Sequence, residues 1–364
     1  MAVRVSKPEF NLREKLSELD KPTGVKGLDL MRSDTTQDAR SFISAGRRNL
    51  LINGQFDVWQ RATDSGSTTA SGYMSSDRWK SNASGGTYQI TRRAFTNGQT
   101  EVPDNPRYYL RFAVTTGANN VSLGQRVEGV ENVQGEVTLS FWAKGTNPPG
   151  GKYDIINRQD FGSGGSPSSV VDTGYGNFVV TSYWQKFIFT FTPPSISGKT
   201  LGTTHTGFYE CQIFRQPAAD NGTGAYTIDI ANVQFEKGRN ATEFEKRPIG
   251  EELQSCMRYF YKWSSSVAYS NFDIGYATDA NNVEVVYQLP VIMRANPNLT
   301  TSGTFRLVGY GPQDYNNMNS ISLHRAHPRS QYLRCVTSGL ASGLVGEFGD
   351  AGSNNATMSF SAEL

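Results

Sequence analysis

Two Asp-hydroxyl-Gly triplets are the first residues in this chain whose types suggest chemistry: Asp64-Ser65-Gly66, and Asp172-Thr173-Gly174 following Val170-Val171. Such a pair can bring two carboxylates together to share a proton, provided both loops sit on a rigid frame flanked by apolar strands. Asp64 lies among Thr, Ser and Gly with no apolar strand before it, so the dyad is not expected to form. His324 and His327 have a ligand-like spacing and Cys335 follows, but zinc needs three or four donors and no further acid or histidine lies nearby. The Gly162-Ser163-Gly164-Gly165-Ser166 run has no following helix or lysine, so it reads as a flexible turn and not as a phosphate cradle. There is no Gly-x-Ser-x-Gly nucleophile elbow. Carboxylate pairs for glycoside hydrolysis are set by the fold and not by sequence spacing, and the acids here are scattered. The expectation is a protein that is not an enzyme.

The bulk composition agrees with a binding or structural role. The chain has 364 residues, enough for two or three domains, with 37% hydrophobic and 12% aromatic residues and 37 glycines. Many short strands, joined by Gly/Asn/Ser turns and filled by large rings, have this composition. Thirty-five basic and 33 acidic residues leave a formal charge of +2, so no nucleic-acid or anionic-membrane footprint is expected. Three cysteines without a CxxC pair read as small buried hydrophobes. No apolar run is long enough to enter a membrane, and the N-terminus lacks the apolar stretch of a secretory signal. The six Asn-x-Ser/Thr sites read as turn composition.

Residues 1–46 differ from the rest, with fifteen of forty-six charged. Ser6-Lys7-Pro8-Glu9 is a capping box, and Leu12, Leu16 and Leu19 stripe a short helix ending before Pro22. A second helix is expected over Ala39, Phe42 and Ile43, closed by Gly46. Helices this short cannot stand alone. The segment is either a docking arm, with Phe10, Leu12, Leu16 and Leu19 as its contact stripe, or a hairpin packed on its own β domain.

From residue 47 the texture becomes that of strands. An apolar strand is expected at Asn49–Ile52, then strands at Tyr88–Arg93, Tyr108–Val114, Val121–Val127, Val137–Ala143, Phe178–Thr181, Trp184–Thr192, Phe208–Phe214 and Ala225–Phe235, separated by turn clusters. Eight to ten antiparallel strands imply a jelly-roll β-sandwich over 47–246. Gly145 to Tyr175 is expected as a long, functional loop, with Tyr153, Asn157, Arg158, Asp160 and Tyr175 offering stacking faces and forked donors; the alternative is a solvated rim. Calcium is possible near Asn53, Asp57 and Glu236, where the ends of a jelly roll meet; no other metal or cofactor is expected.

A linker helix is expected in 247–262, where Leu253, Cys256, Met257 and Phe260 recur at helical spacing; because Tyr259, Tyr261 and Trp263 also alternate as a strand would, its turns are expected to end near Met257. A smaller β-sandwich over 263–364 follows, with strands at Val267–Tyr269, Val283–Leu289, Leu299–Thr301, Phe305–Val308, Ile321–His324, Gln331–Val336 and Thr357–Ala362, and a polar loop at Gln313–Asn319. The fold class is therefore mainly β: a short helical arm, a jelly roll, a linker helix and a second sandwich.

Several stretches together resemble structural proteins of tailed bacteriophages, particularly those of marine bacteria and cyanobacteria. VRVSKPEFNLREKLSELDKPTG is similar to the opening of such virion proteins. GRRNLLINGQFDVWQR with SSDRW, then LSFWAKG, QDFGSGGSPSS, PSISGKTLGT and ANVQFEKGRNATEFEKRPIGEELQSCMRYFYKW, resemble a jelly-roll module like a carbohydrate-binding module. VIMRANPNLT resembles a motif of a small C-terminal domain. The resemblance implies a virion structural protein of tail-fibre or tail-associated type. It would be a homotrimer attached to other virion proteins through residues 1–46, and it would meet a host-surface glycan. The other reading it leaves open is a connector or head-decoration protein that binds no glycan. In such modules sugars stack on aromatic rings, which makes Trp79 and Trp142 candidates alongside Tyr153, Arg158 and Tyr175; the alternative for both tryptophans is a place in the core.

Overall fold

The computed structural model describes residues 47–116, 119–215, 224–309, 315–352 and 354–364. The expected arm, with Phe10, Leu12, Leu16 and Leu19, lies outside the described residues. In chain order the first ten strands are β1 (Lys80–Ser84), β2 (Thr87–Ala94), β3 (Tyr108–Thr116), β4 (Asn119–Glu128), β5 (Val137–Gly145), β6 (Tyr153–Asp160), β7 (Val171–Phe178), β8 (Gln185–Phe191), β9 (Phe208–Arg215) and β10 (Tyr226–Lys237). They form two five-stranded antiparallel sheets, ordered β1-β4-β9-β6-β7 and β2-β3-β10-β5-β8. Alternation along each strand sends one face inward. Leu110, Phe112 and Val114 of β3, Ile228, Ile230, Val233 and Phe235 of β10, and Leu139 and Phe141 of β5 meet Leu123, Tyr153, Ile155, Cys211 and Phe214 of the facing sheet in one core.

β10 is the third of its five strands. Its end is held to the start of the module: Leu50 N–H donates to the Phe235 carbonyl at 2.8 Å, and Val233 N–H to the Gly54 carbonyl at 2.9 Å. Residues 49–52 are therefore not the expected strand. Asn49 and Leu50 have no regular structure and Leu51 and Ile52 are bends, with Asn49 Oδ1 accepting from both Leu51 N–H (3.1 Å) and Phe235 N–H (3.0 Å).

Part of the expected loop at Gly145–Tyr175 is strand, because it contains β6 and most of β7. The alternation was hidden by polar residues on the inward face of β6. Asn157 and Gln159 are buried there, satisfied by Tyr209 Oη (3.1 Å) and the Pro194 carbonyl (2.9 Å). The expected strand at Phe178–Thr181 starts where β7 ends, so the element begins seven residues earlier along the chain.

Helix α1 (Ile249–Met257) carries Glu251 and Glu252 in its first turn, favourable for its dipole, and buries Cys256. It stops at Met257, and β11 (Phe260–Ser264) begins three residues later. The remaining strands are β12 (Asn271–Ala277), β13 (Asn282–Gln288), β14 (Asn298–Ser302), β15 (Phe305–Val308), β16 (Tyr315–Asn317), β17 (Ser320–Ala326), β18 (Ser330–Val336), β19 (Val345–Asp350) and β20 (Thr357–Ser361). A three-stranded sheet, β11-β20-β14, packs on a seven-stranded one, β16-β15-β19-β12-β13-β18-β17, over a second core that includes Phe272, Val285, Leu307, Leu333, Phe348 and Phe360. The fold is mainly β throughout, with α1 the sole α-helix among the described residues. Val267–Tyr269 is a turn and not a strand, with Tyr269 in the left-handed region (φ 64°). Part of the expected polar loop at Gln313–Asn319 is β16, paired with β15. No helix among the described residues is long and apolar enough to cross a membrane.

The two cores are joined by charge. Glu363, next to the last residue, accepts from Arg78 Nη1 and from Arg61 Nη2 (2.9 Å). Arg126 Nη1 donates to the Leu364 carbonyl at 2.5 Å, and Arg258 Nη2 to Glu128 at 3.1 Å.

Candidate functional site

The residues singled out from the sequence separate by face. Trp79 is in the core: it is 1% exposed, its ring centroid lies 5.1 Å from that of Phe56, and its indole N–H donates to the Asn53 carbonyl at 2.9 Å. Tyr153 is fully buried; its hydroxyl donates to the Thr146 carbonyl at 2.8 Å, and burial pushes its phenol well above the ordinary value. Tyr175 is half-buried and faces inward, stacked 3.9 Å from Phe191. Arg158 is on the outer face of β6, with its fork closed on Asp172 of β7 at 2.8 and 2.9 Å. That hydrogen bond holds Asp172 below the usual carboxylate range. Trp142 alone among the five puts an aromatic face outside the sandwich. It lies on the outer side of β5, half-buried, against a small cluster of Val102, Trp184 and Ala231.

Around Trp142 the outer face of the second sheet forms a pocket of about 340 Å³, lined by Pro103, Asp104, Ser140, Trp142, Lys186, Asn232, Thr242, Glu243 and Phe244. That is at the low end of the range for small-molecule sites, about 300–1,000 Å³. Ser140 and Trp142 of β5 and Lys186 of β8 make the floor, with Trp142 and Lys186 directly paired across the strands. One wall is the β2–β3 connection at Pro103–Asp104, where Asp104 and Asn105 both have positive φ (68° and 46°). The other wall is the segment Thr242–Phe244 that follows β10.

A β-bulge places the remaining polar group. The β10–β5 register slips between Ala231, opposite Trp142, and Gln234, opposite Ser140. Asn232 occupies the slip with φ 47°, a left-handed conformation that Asn tolerates better than most residues. Its amide Nδ2 donates to the Pro103 carbonyl at 3.2 Å, and its Oδ1 accepts from Gln55 at 3.3 Å. The bulge therefore ties the pocket's wall to its floor. The site combines a half-buried ring, an ammonium and two carboxylates around a shallow cavity, over the buried Ser140 and the already hydrogen-bonded Asn232. This set matches a neutral, polyhydroxylated ring: an aromatic platform for its C–H face and paired donors and acceptors at its edge.

Sequence reasoning picked out Trp142 but missed Lys186, Asn232 and Asp104. The signal for Asn232 was present in the chain: Ile228 and Ile230 keep period two, and the next inward residue is Val233. That extra residue is the bulge.

The other chemistry considered from the sequence does not assemble. Asp64 is bridged to Thr91 of β2, while Asp172 is on β7 of the opposite sheet. A side-chain hydrogen bond from Gln89 and a backbone one from Gly66 lower the Asp64 pKa, so both acids favour ionisation instead of sharing a proton. His324 is exposed on β17, while Cys335 is buried in the core on β18. The calcium set is not gathered either. Asn53 Oδ1 accepts from Val58 N–H (3.0 Å), and Glu236 accepts from Thr242 N–H (2.9 Å), Thr242 Oγ1 and Gln234. Among the described residues no group of three or more His, Cys, Asp or Glu side chains could hold a metal ion.

No protein-family model and no curated protein matches the chain. Among solved structures it is similar to the enzymatically active domain of tailspike protein 4 of bacteriophage CBA120, at 16% identity and a TM-score of 0.32 over 54% of this chain. That match spans 22% of the tailspike chain. It is also similar to a putative sugar-binding protein from Bacteroides thetaiotaomicron (14%, TM-score 0.33, 52% of this chain and 100% of that one). A third similar structure is the CBM22-1 xylan-binding domain of Paenibacillus barcinonensis Xyn10C (14%, TM-score 0.30, 54% and 100%).

Proposed function

We propose that the jelly roll binds a glycan at the Trp142 pocket. The chain would then be a non-enzymatic structural protein of a tailed-bacteriophage virion, of tail-fibre or tail-associated type, that contributes to recognition of the host surface. The observation that carries the glycan reading is the half-buried ring of Trp142 in a pocket of about 340 Å³ edged by Lys186, Asp104 and Glu243. The virion assignment, the homotrimer and attachment through residues 1–46 follow from the sequence resemblance. The competing reading is a connector whose sandwiches pack on neighbouring virion subunits and bind no sugar.

A glycan array followed by tryptophan-fluorescence titration of each hit tests the binding. Trp142→Ala should weaken the best ligand about fivefold or more, since stacking on an aromatic face contributes on the order of 1 kcal/mol, and circular dichroism should show the variant folded although it also loses packing against Val102, Trp184 and Ala231. Absence of any binding at the highest soluble concentration favours the connector. Undiminished binding by Trp142→Ala removes this pocket from the account. For the arm, deletion of residues 1–32 should abolish incorporation into particles while the β-sandwiches remain folded.

A further inference from the structure

A sheet with one face in the core commonly presents polar residues on the other; the seven-stranded sheet also presents large apolar ones. On its outer face Ile274 and Tyr276 of β12 are 64% and 47% exposed, Val286 of β13 53%, and Val345 of β19 49%. The register makes them neighbours. Val345 is opposite Tyr276, and Tyr276 is opposite Glu284. Val286, two residues past Glu284, therefore lies beside Ile274. An apolar band thus crosses three adjacent strands, where isolated exposed residues would be ordinary.

The band is bordered by opposite charges. Glu347, opposite Ile274, is on β19 at one side. Arg334 of β18 and Arg325 of β17 are at the other, Arg325 opposite Tyr332. Arg334 is committed to Glu284 at 3.5 Å, and Glu284 also accepts from Tyr332 Oη. Glu347 and Arg325 cannot meet within one copy. Four strand spacings separate β19 from β17, about 19 Å, well beyond ion-pair reach.

We propose that copies of this chain assemble through this face, the acidic β19 side of one copy meeting the basic β18–β17 side of the next and the apolar bands facing a common axis. A face whose two sides complement one another is satisfied by further copies of itself, and a head-to-tail contact of this kind closes into a ring when the rotation between copies closes. The inference deepens the homotrimer reading by naming the surface that would close the trimer, and it is independent of glycan binding.

The test is the mass of the full chain by light scattering and sedimentation, with circular dichroism to confirm folding. The wild type should be an oligomer, and Ile274→Lys with Val286→Lys should make it a folded monomer. Glu347→Arg and Arg325→Glu should each shift assembly toward monomer by about tenfold or more in dissociation constant. Combined, they should restore it, because the pair is reversed and not removed. A monomeric wild type overturns both the homotrimer and this face. An oligomer that survives the lysine variants, or a double reversal no better than either single one, overturns the face alone.

Discussion

Trp142 and Lys186 stand directly opposite one another across β5 and β8 on the outer face of the jelly roll. A ring face and an ammonium are thereby presented side by side on rigid strands instead of on a loop. The ammonium can donate to a sugar hydroxyl while the ring takes the C–H face.

Lys186→Ala should therefore weaken glycan binding by roughly 2- to 10-fold, the range expected for one net hydrogen bond. Trp142→Ala should cost more, and the double variant should show whether the two act on the same ring. Titration calorimetry against the best array ligand checks this. Asp104 and Glu243 line the same pocket, so an acidic saccharide should bind more weakly than its neutral counterpart.

Asp77 makes stability depend on pH in an unusual direction. Burial pushes its carboxyl up to about 6, outweighing the lowering effects of Arg61 and the Gln60 hydrogen bonds. The folded state then holds a proton that the unfolded chain releases near pH 4, so this residue's contribution is greatest at low pH and falls as pH rises from about 4 to 6. Stability should drop on the order of 3 kcal/mol across that window and level off above it. Asp77→Asn should flatten the slope. Urea unfolding at a series of pH values measures both curves; parallel slopes for wild type and variant would refute the assignment.

The three cysteines should be silent in the native protein. Cys211, Cys256 and Cys335 are buried and free, and burial raises each thiol, that of Cys335 to about 12. The thiolate is the reactive form, so labelling with a thiol reagent at neutral pH should register none of the three in minutes and all three once the chain is unfolded. Rapid labelling of one thiol in the native state would place that cysteine at an opening segment.

How much of this was legible in the sequence depended on what each residue faces. β3, β5 and β10 could be read because Leu110, Phe112, Leu139, Phe141, Ile228 and Ile230 keep strict alternation against solvent or polar neighbours. β6 could not, because Asn157 and Gln159 occupy inward positions and erase the apolar signal. β12 was missed for the opposite reason: Ile274 and Tyr276 are apolar on the outward face, beside inward Phe272 and Gly275. The end of α1 at Met257 was legible because Tyr259, Tyr261 and Trp263 switch to period two. In the pocket, Trp142 could be named from its type and strand. Lys186 comes from β8 and Asp104 and Phe244 from separate connections, and only the sheet order brings them to it.

The last residues of the chain fasten its two cores together, and Glu363 is the centre of that contact. It accepts from Arg61 and Arg78, and the Arg78 side chain is 1% exposed, lying over the Tyr259 ring with its other Nη donating to the Arg126 carbonyl. Removing one partner of a buried ion pair leaves the other charged and without compensation, which typically costs about 3–5 kcal/mol. Glu363→Ala should lower stability by that amount in urea unfolding. Glu363→Gln, which keeps an acceptor but not the charge, should fall between variant and wild type. Replacing Arg78 with Met in the Glu363→Ala background should recover part of the loss, because the buried cation is then gone. If Glu363→Ala unfolds with the wild-type midpoint, the junction is held by its apolar contacts and not by this pair.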